Sequence, residues 1–325
     1  MKRKLAVFAV LLCTAFALLA ASGVVSSTKN ASQLALLHWY QANQAPTQFA
    51  AGLEPWCVAF DGASIWVTNA SYPAGGSGFN VMKFRASDGA LLGTFLLDSQ
   101  PFGIAFDGAN MWVSNGGAVS KLQASDGTVL ATYAIGGAPT GVAFDGINIW
   151  VANYTSNTVT KLPASNGENP VNFPVGMKPL FVAFDGTNIW VTNSGSNNVT
   201  ELNENGTVLG TFAVGTSPIG IAFDGTDMWV ANSGSNNVTK LSLSGTTLGT
   251  FAVGTNPYGI AFDGANIWVA NVTSNNVTKL SLSGSNLGTF AAGVSNPHGV
   301  AFDGANIWVV NTCYSCSTAG TLSKL

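Results

Sequence analysis

The tetrapeptide Ala-Phe-Asp-Gly begins at residues 59, 105, 143, 183, 222, 261 and 301, at spacings of 46, 38, 40, 39, 39 and 40. A period near forty means one supersecondary unit repeated, each copy burying its apolar face against the next. Within the copy from Pro257 to Gly293, "YGIAFD" is apolar and ends at an Asp-Gly turn. "NIWVAN" follows, rich in β-branched and aromatic residues. "VTKLSL" alternates after a polar break, and "LGTFAAG" follows Ser283-Gly284. This pattern predicts four short strands in an antiparallel meander, with no helical periodicity after the first residues.

A four-stranded meander cannot cover both of its faces. Radial stacking around an axis solves this, because each sheet covers its neighbours. The chain ends point to a closed ring. The last copy stops at Leu325 with three strands, while "TQFAAGLEP" near the N-terminus matches the fourth strand and following loop of the others. The predicted fold is therefore all-β: a seven-bladed β-propeller of four-stranded antiparallel blades, closed by an N-terminal strand completing the C-terminal blade. The domain reading is 1–23 signal peptide, 24–46 lead-in segment and 47–325 propeller. "LALLHWY", residues 34–40, reads either as an additional strand or as a cap beside the closing blade.

The repeated residues read as scaffold. Trp66, Trp112, Trp150, Trp190, Trp229, Trp268 and Trp308 hold one position in the second strand, and the Phe of each tetrapeptide holds one in the first. Large aromatics at fixed places on stacked sheets are expected to fill the space between them. Each Asp-Gly aspartate is expected to bond its own turn. The Asn closing each "WVxN" is expected to satisfy loop amides.

Function is then sought where the copies differ. The position after the proline that opens each first strand is Trp56, Phe102, Thr140, Leu180, Ile219, Tyr258 and His298 in turn. One such residue per blade should ring the mouth of the central channel, as an apolar ligand site or as a plug. The loops between second and third strands share that face. Two are long, from Asn69 and from Asn311, and they meet at the closure, near Glu54, Trp56, Cys57, His298 and Tyr314. A single specific site is expected at this seam, against the alternative that closure merely tolerates irregular loops.

Charged residues make up 8% of the chain and the formal net charge is −3. That excludes the basic surface nucleic acid requires. Lys2-Arg3-Lys4, an apolar run from Leu5 to Ala21 and small residues after it read as a secretory signal peptide cleaved near 21–23. The competing reading is a retained anchor. Secretion, the periplasm or the cell surface is the expected location, with no membrane span once the signal is cut. Cys313 and Cys316 are spaced to close a small disulfide loop in an oxidising compartment. Two histidines are too few for a zinc site.

The stretch "PYGIAFDGANIWVANVTSNNVTKLSLSGSNLGTF" resembles the NHL and YVTN-type bacterial β-propeller repeats. It is similar to the group that includes streptogramin lyases. Those enzymes open a cyclic depsipeptide by elimination at its ester, with magnesium and a histidine acid in a "HG" segment. The resemblance implies His298 of Pro297-His298-Gly299 as that acid and Mg2+ as the cofactor, while no other mouth position matches. The leading expectation is a monomeric binding module without a cofactor, taking a protein, glycan or small-molecule ligand. The alternatives are a lyase acting through His298 and a purely structural envelope protein.

Overall fold

The structure, a computed structural model, describes residues 47–70, 79–293, 295–313 and 319–325. The signal, the lead-in and "LALLHWY" lie outside the described residues. Among the described residues no helix is long and apolar enough to cross a membrane. Among the described residues twenty-eight strands form seven four-stranded antiparallel sheets, each from strands consecutive in sequence except one. In that sheet β1 (Thr47–Ala50) lies beside β28 (Thr321–Lys324), followed by β27 (Ile307–Asn311) and β26 (Pro297–Phe302). Thr47 pairs with Lys324 and Ala50 with Thr321. The N-terminal strand thus completes the last blade.

The innermost strands begin at Pro55, Pro101, Pro139, Pro179, Pro218, Pro257 and Pro297. Each touches the next, and the last touches the first, so the ring is closed. Every inner strand carries a bulge directly after its proline, as between Pro139 and Val142. A bulge inserts one unpaired residue and re-aims the side chains beside it. Here it turns the mouth residue toward the axis. Hydroxyls of the second strand pin it. Thr68 Oγ1 accepts from Cys57 N–H at 3.1 Å and donates to Phe102 C=O of the next blade at 2.8 Å. Thr192 does the same with Phe181 N–H and Ile219 C=O at 3.0 and 2.7 Å. In five blades the residue two after the proline is glycine, and crowding there requires it. A Cβ on Gly103, Gly141, Gly220 or Gly259 would collide with the backbone of the following blade.

The tryptophans lie between blades. Trp150, with Val159, packs on Val182, Ile189 and Leu202 of the next blade. At the closure Trp308 and Leu322 pack on Ile65, Val67 and Phe84. All seven indoles also stand over an aromatic ring of their own fourth strand, at 5.3–5.8 Å between centroids. Two interactions were not read from the sequence. Each indole Nε1–H donates to the Asp-Gly aspartate of its blade at 2.7–2.8 Å. In six blades a third-strand lysine places its ammonium 4.7–5.4 Å from the ring. In the fourth blade Glu201 occupies that position and accepts from Asn188 instead.

The aspartates also bond their own turns, as Asp145 Oδ1 does with the N–H groups of Ile147 and Asn148. Burial pushes the carboxyls of Asp107, Asp145, Asp263 and Asp303 up. The indole and turn donors outweigh it and hold all four below the usual range. The "WVxN" asparagines differ from expectation. Their Nδ2 groups donate to third-strand side chains, as Asn193 does to Asn198 and Thr200 at 2.9 Å, and not to loop amides. Their Oδ1 atoms are buried and accept no hydrogen bond among the described residues.

The residue before the opening proline has positive φ at Glu54, Ala138, Lys178, Ser217, Asn256 and Asn296. Asparagine tolerates this region better than alanine does. Replacing Ala138, whose φ is 50°, by Asn is expected to stabilise the fold by about 0.5–1 kcal/mol. Thermal denaturation checks this, and a lower Tm contradicts it.

Candidate functional site

The seven mouth residues do not surround an open hole. Their bulged strands drive them together over the axis, where Ile219 and Tyr258 pack with Val272 against Trp56, Phe102, Leu180 and Phe181. Trp56 is the hub: its ring lies 5.0 Å from Phe102, 5.9 Å from Tyr258 and 4.9 Å from His298. Phe181 meets Tyr258 edge-on at 5.9 Å. Phe181 was not singled out from the sequence, although it stands where five other blades have glycine. Its benzyl group is what the axis gains there. Beneath this aromatic plug the channel is a cavity of about 90 Å³, lined by residues that include Cys57, Ile104, Ile260 and Val300. Cys57 is a free, buried thiol, pushed up to about 12 by burial, so it is inert as a nucleophile.

His298 is 1% exposed. It lies between Trp56 and Tyr258, whose ring is 4.8 Å away. Its Nδ1 is 2.8 Å from the Asn296 carbonyl. A carbonyl only accepts, so Nδ1 carries the proton. Burial lowers the imidazole to about 4, against a smaller opposing effect of that hydrogen bond. The ring is therefore neutral at pH 7, and its single N–H is committed to the backbone. Because the folded value lies below the ordinary 6.5, the unfolded chain holds the proton more tightly in between. Stability is full above pH 6.5 and is lost as pH falls toward 4, by about 3 kcal/mol at about 1.4 kcal/mol per pH unit. Urea denaturation across this interval tests it, with His298→Phe expected to flatten the slope. An unchanged slope in the variant contradicts the assignment.

The magnesium that the streptogramin lyase resemblance implies finds no fitting donor set among the described residues. A hard divalent cation takes several oxygen ligands, usually with carboxylates among them. Among the described residues Trp56 and Tyr258 lie against His298, and no three His, Cys, Asp or Glu groups gather at one point. At the seam, Tyr314 and Cys316 lie outside the described residues, as do 71–78 of the first long loop. Cys313 is disulfide-bonded.

Away from the axis the same face carries a groove of about 510 Å³. Its lining includes Gln100, Phe102, Pro139, Thr140, Tyr154 and Leu180. It therefore brings together three of the mouth residues, Phe102, Thr140 and Leu180. Trp56, Tyr258 and His298 remain in the plug. Thr140 Oγ1 donates to the Ala152 carbonyl at 3.1 Å, and so faces the strand more than the groove.

The fold and this face define a closed seven-bladed β-propeller with a plugged axis and a lateral groove. Among solved structures it is similar to a catalytically inactive virginiamycin B lyase from Staphylococcus aureus with quinupristin. The identity is 18% and the TM-score 0.70, over 86% of this chain and all of that one. It is also similar to a streptogramin B lyase, at 16% identity and TM-score 0.70, over 86% and 98% of the two chains. Hydrazine synthase from Kuenenia stuttgartiensis matches at 18% identity and TM-score 0.71, over 84% and 96%. Such unlike proteins at such low identity share the fold alone. No protein family and no curated protein matches the sequence.

Proposed function

We propose that the chain is a binding module, a rigid propeller that holds a partner or small ligand on its loop face and performs no chemistry on it. The observation that carries this reading is the plug. The axial mouth, where a lyase-type histidine would have to meet substrate, is filled by Trp56, Phe102, Phe181 and Tyr258, and His298 is buried and neutral among them. In this reading the protein works without a cofactor, as a monomer, outside the cytoplasm: secreted, periplasmic or at the cell surface. The signal-like pattern of residues 1–23 supports that location.

A second reading, an enzyme of the streptogramin lyase type, is favoured by the structural likeness. The two separate on incubation with a type B streptogramin such as quinupristin. Elimination yields an isomer of unchanged mass, so chromatography with NMR detection of a new alkene is the readout. The binding reading expects intact ring; turnover that His298→Ala abolishes would overturn it. A glycan, peptide and metabolite array then tests binding itself, and a complete absence of hits counts against it.

A further inference from the structure

The lateral groove has a sequence cause. The second and third strands of four blades are joined by four-residue loops, 154–157, 194–197, 233–236 and 272–275. The last residue of each is an asparagine at positive φ: Asn157, Asn197, Asn236 and Asn275. Its Oδ1 accepts the N–H before the next blade's proline, at Lys178, Ser217, Asn256 and Asn296, over 2.8–2.9 Å. The second blade departs from this. Its loop is only Gly116-Gly117, between β7 (Asn110–Asn115) and β8 (Ala118–Gln123). Both glycines have positive φ. Gly117 has no side chain to strap Ala138, and the missing pair of residues leaves the apolar floor beneath uncovered.

The charges around this floor are one-sided. Eight of the twelve Lys and Arg residues lie in the described part. Seven of these are engaged: Lys83, Arg85, Lys240 and Lys279 with aspartates, and Lys121, Lys161 and Lys324 with backbone carbonyls. Lys178 is the exception. Its side chain is exposed and is not engaged by any carboxylate or carbonyl among the described residues. Its ammonium stands 5.8 Å from the ring of Tyr154, which lines the groove. Only Glu54 and Asp98 of the fifteen carboxylates lie in loops of this face, and neither lines the groove.

Resting on the binding reading above, we propose that this groove between the second and fourth blades is the ligand site, and that it takes a small aromatic carboxylate. The aromatic body lies on Phe102, Pro139, Leu180 and Tyr154, and the carboxylate faces Lys178. A groove of this volume with an apolar lining and one charged group at its edge has the make-up of a small-molecule site. A cation engaged by no carboxylate or carbonyl among the described residues is complementary to an anionic ligand, and an aromatic floor favours a flat body.

The test compares 2-naphthoate with its neutral isostere 2-naphthamide by calorimetric titration against the full propeller. The acid is expected to bind about fivefold tighter than the amide. Lys178→Met should bring the acid to the level of the amide, with Tm unchanged because the side chain is exposed. Leu180→Asp, which places a like charge on the floor, should weaken the acid more than the amide. Equal binding of acid and amide, no binding of either at millimolar concentration, or a Lys178→Met variant that binds like the wild type overturns the proposal. A peptide ending in phenylalanine that displaces naphthoate at lower concentration overturns the choice of a small molecule. An array ligand lost only on Tyr258→Ala would overturn this site while leaving the binding reading intact.

Discussion

A chain ending at residue 318 is expected not to fold into a stable monomer. The deletion removes β28, which is a central strand of the closing blade. β1 loses its only partner in the sheet, and β27 loses one of two. Leu322, fully buried, leaves the cluster that joins Trp308 to Ile65, Val67 and Phe84 of the first blade. Lys324 leaves both the Trp308 ring and the carbonyls of Ala86 and Ser87. Truncation of one such leucine to alanine costs about 2–5 kcal/mol. Orphaning β1, baring one edge of β27 and opening the ring adds more than the about 5–15 kcal/mol that holds a domain folded. Circular dichroism on heating, with size-exclusion chromatography, gives the result: loss of the cooperative transition or an aggregated product. Retention of the full-length Tm would mean that the ring is closed by something other than this strand. Leu322→Ala is the graded companion, expected to fold with lowered Tm.

That closure was legible in the sequence because it needs only counting: seven copies of a tetrapeptide, three strands in the last copy and one strand before the first. The face that carries the variable residues was legible for the same reason, since strand alternation places loops without any knowledge of packing. What the mouth residues do there was not. Whether Trp56, Phe102, Tyr258 and His298 surround a space or fill it depends on side-chain volumes brought in from several blades, and Phe181, at a position that is glycine in five other blades, fills it. The aspartate turns were visible as local chemistry. The indole bond to the same carboxylate was not, because it needs the register that sets Trp150 opposite Ala143 across the first two strands. The signal of the groove in the sequence is an absence, two residues missing at Gly116-Gly117 against "NSGSNN", and the longest loops, which stand out more, lie at the seam instead. Lys178 carried a signal too: it is the only described lysine that falls in a loop and not in a third strand.

The scaffold repeats one module seven times, so a single copy measures what the repeat is worth. Trp150→Ala is expected to destabilise by about 3–5 kcal/mol. The ring is fully buried, it packs on the next blade through Val182 and Ile189, and it lies 5.8 Å from Phe173. Nothing in a closed ring of blades can move inward to refill its volume without opening a neighbouring junction, which places the cost toward the upper end. Two further losses follow from the same side chain. Lys161 no longer has an aromatic face at 5.4 Å, and Asp145 loses the donor that, with its turn, keeps its carboxyl acidic. Trp150→Phe separates these contributions. It keeps most of the apolar volume and removes the indole N–H, so it should cost about 1–3 kcal/mol less than the alanine variant. The carboxylate has its own signature. A folded value below the unfolded one stabilises above the ordinary carboxylate range and stops doing so as pH falls through the folded value. The phenylalanine variant should therefore lose less stability than the wild type as pH falls from about 5 to about 3, through the ordinary carboxylate range below which Asp145 is held. Urea midpoints at the two pH values decide it. An equal acid loss in both proteins would show that the turn amides alone hold Asp145 acidic, and that the indole contributes by volume only.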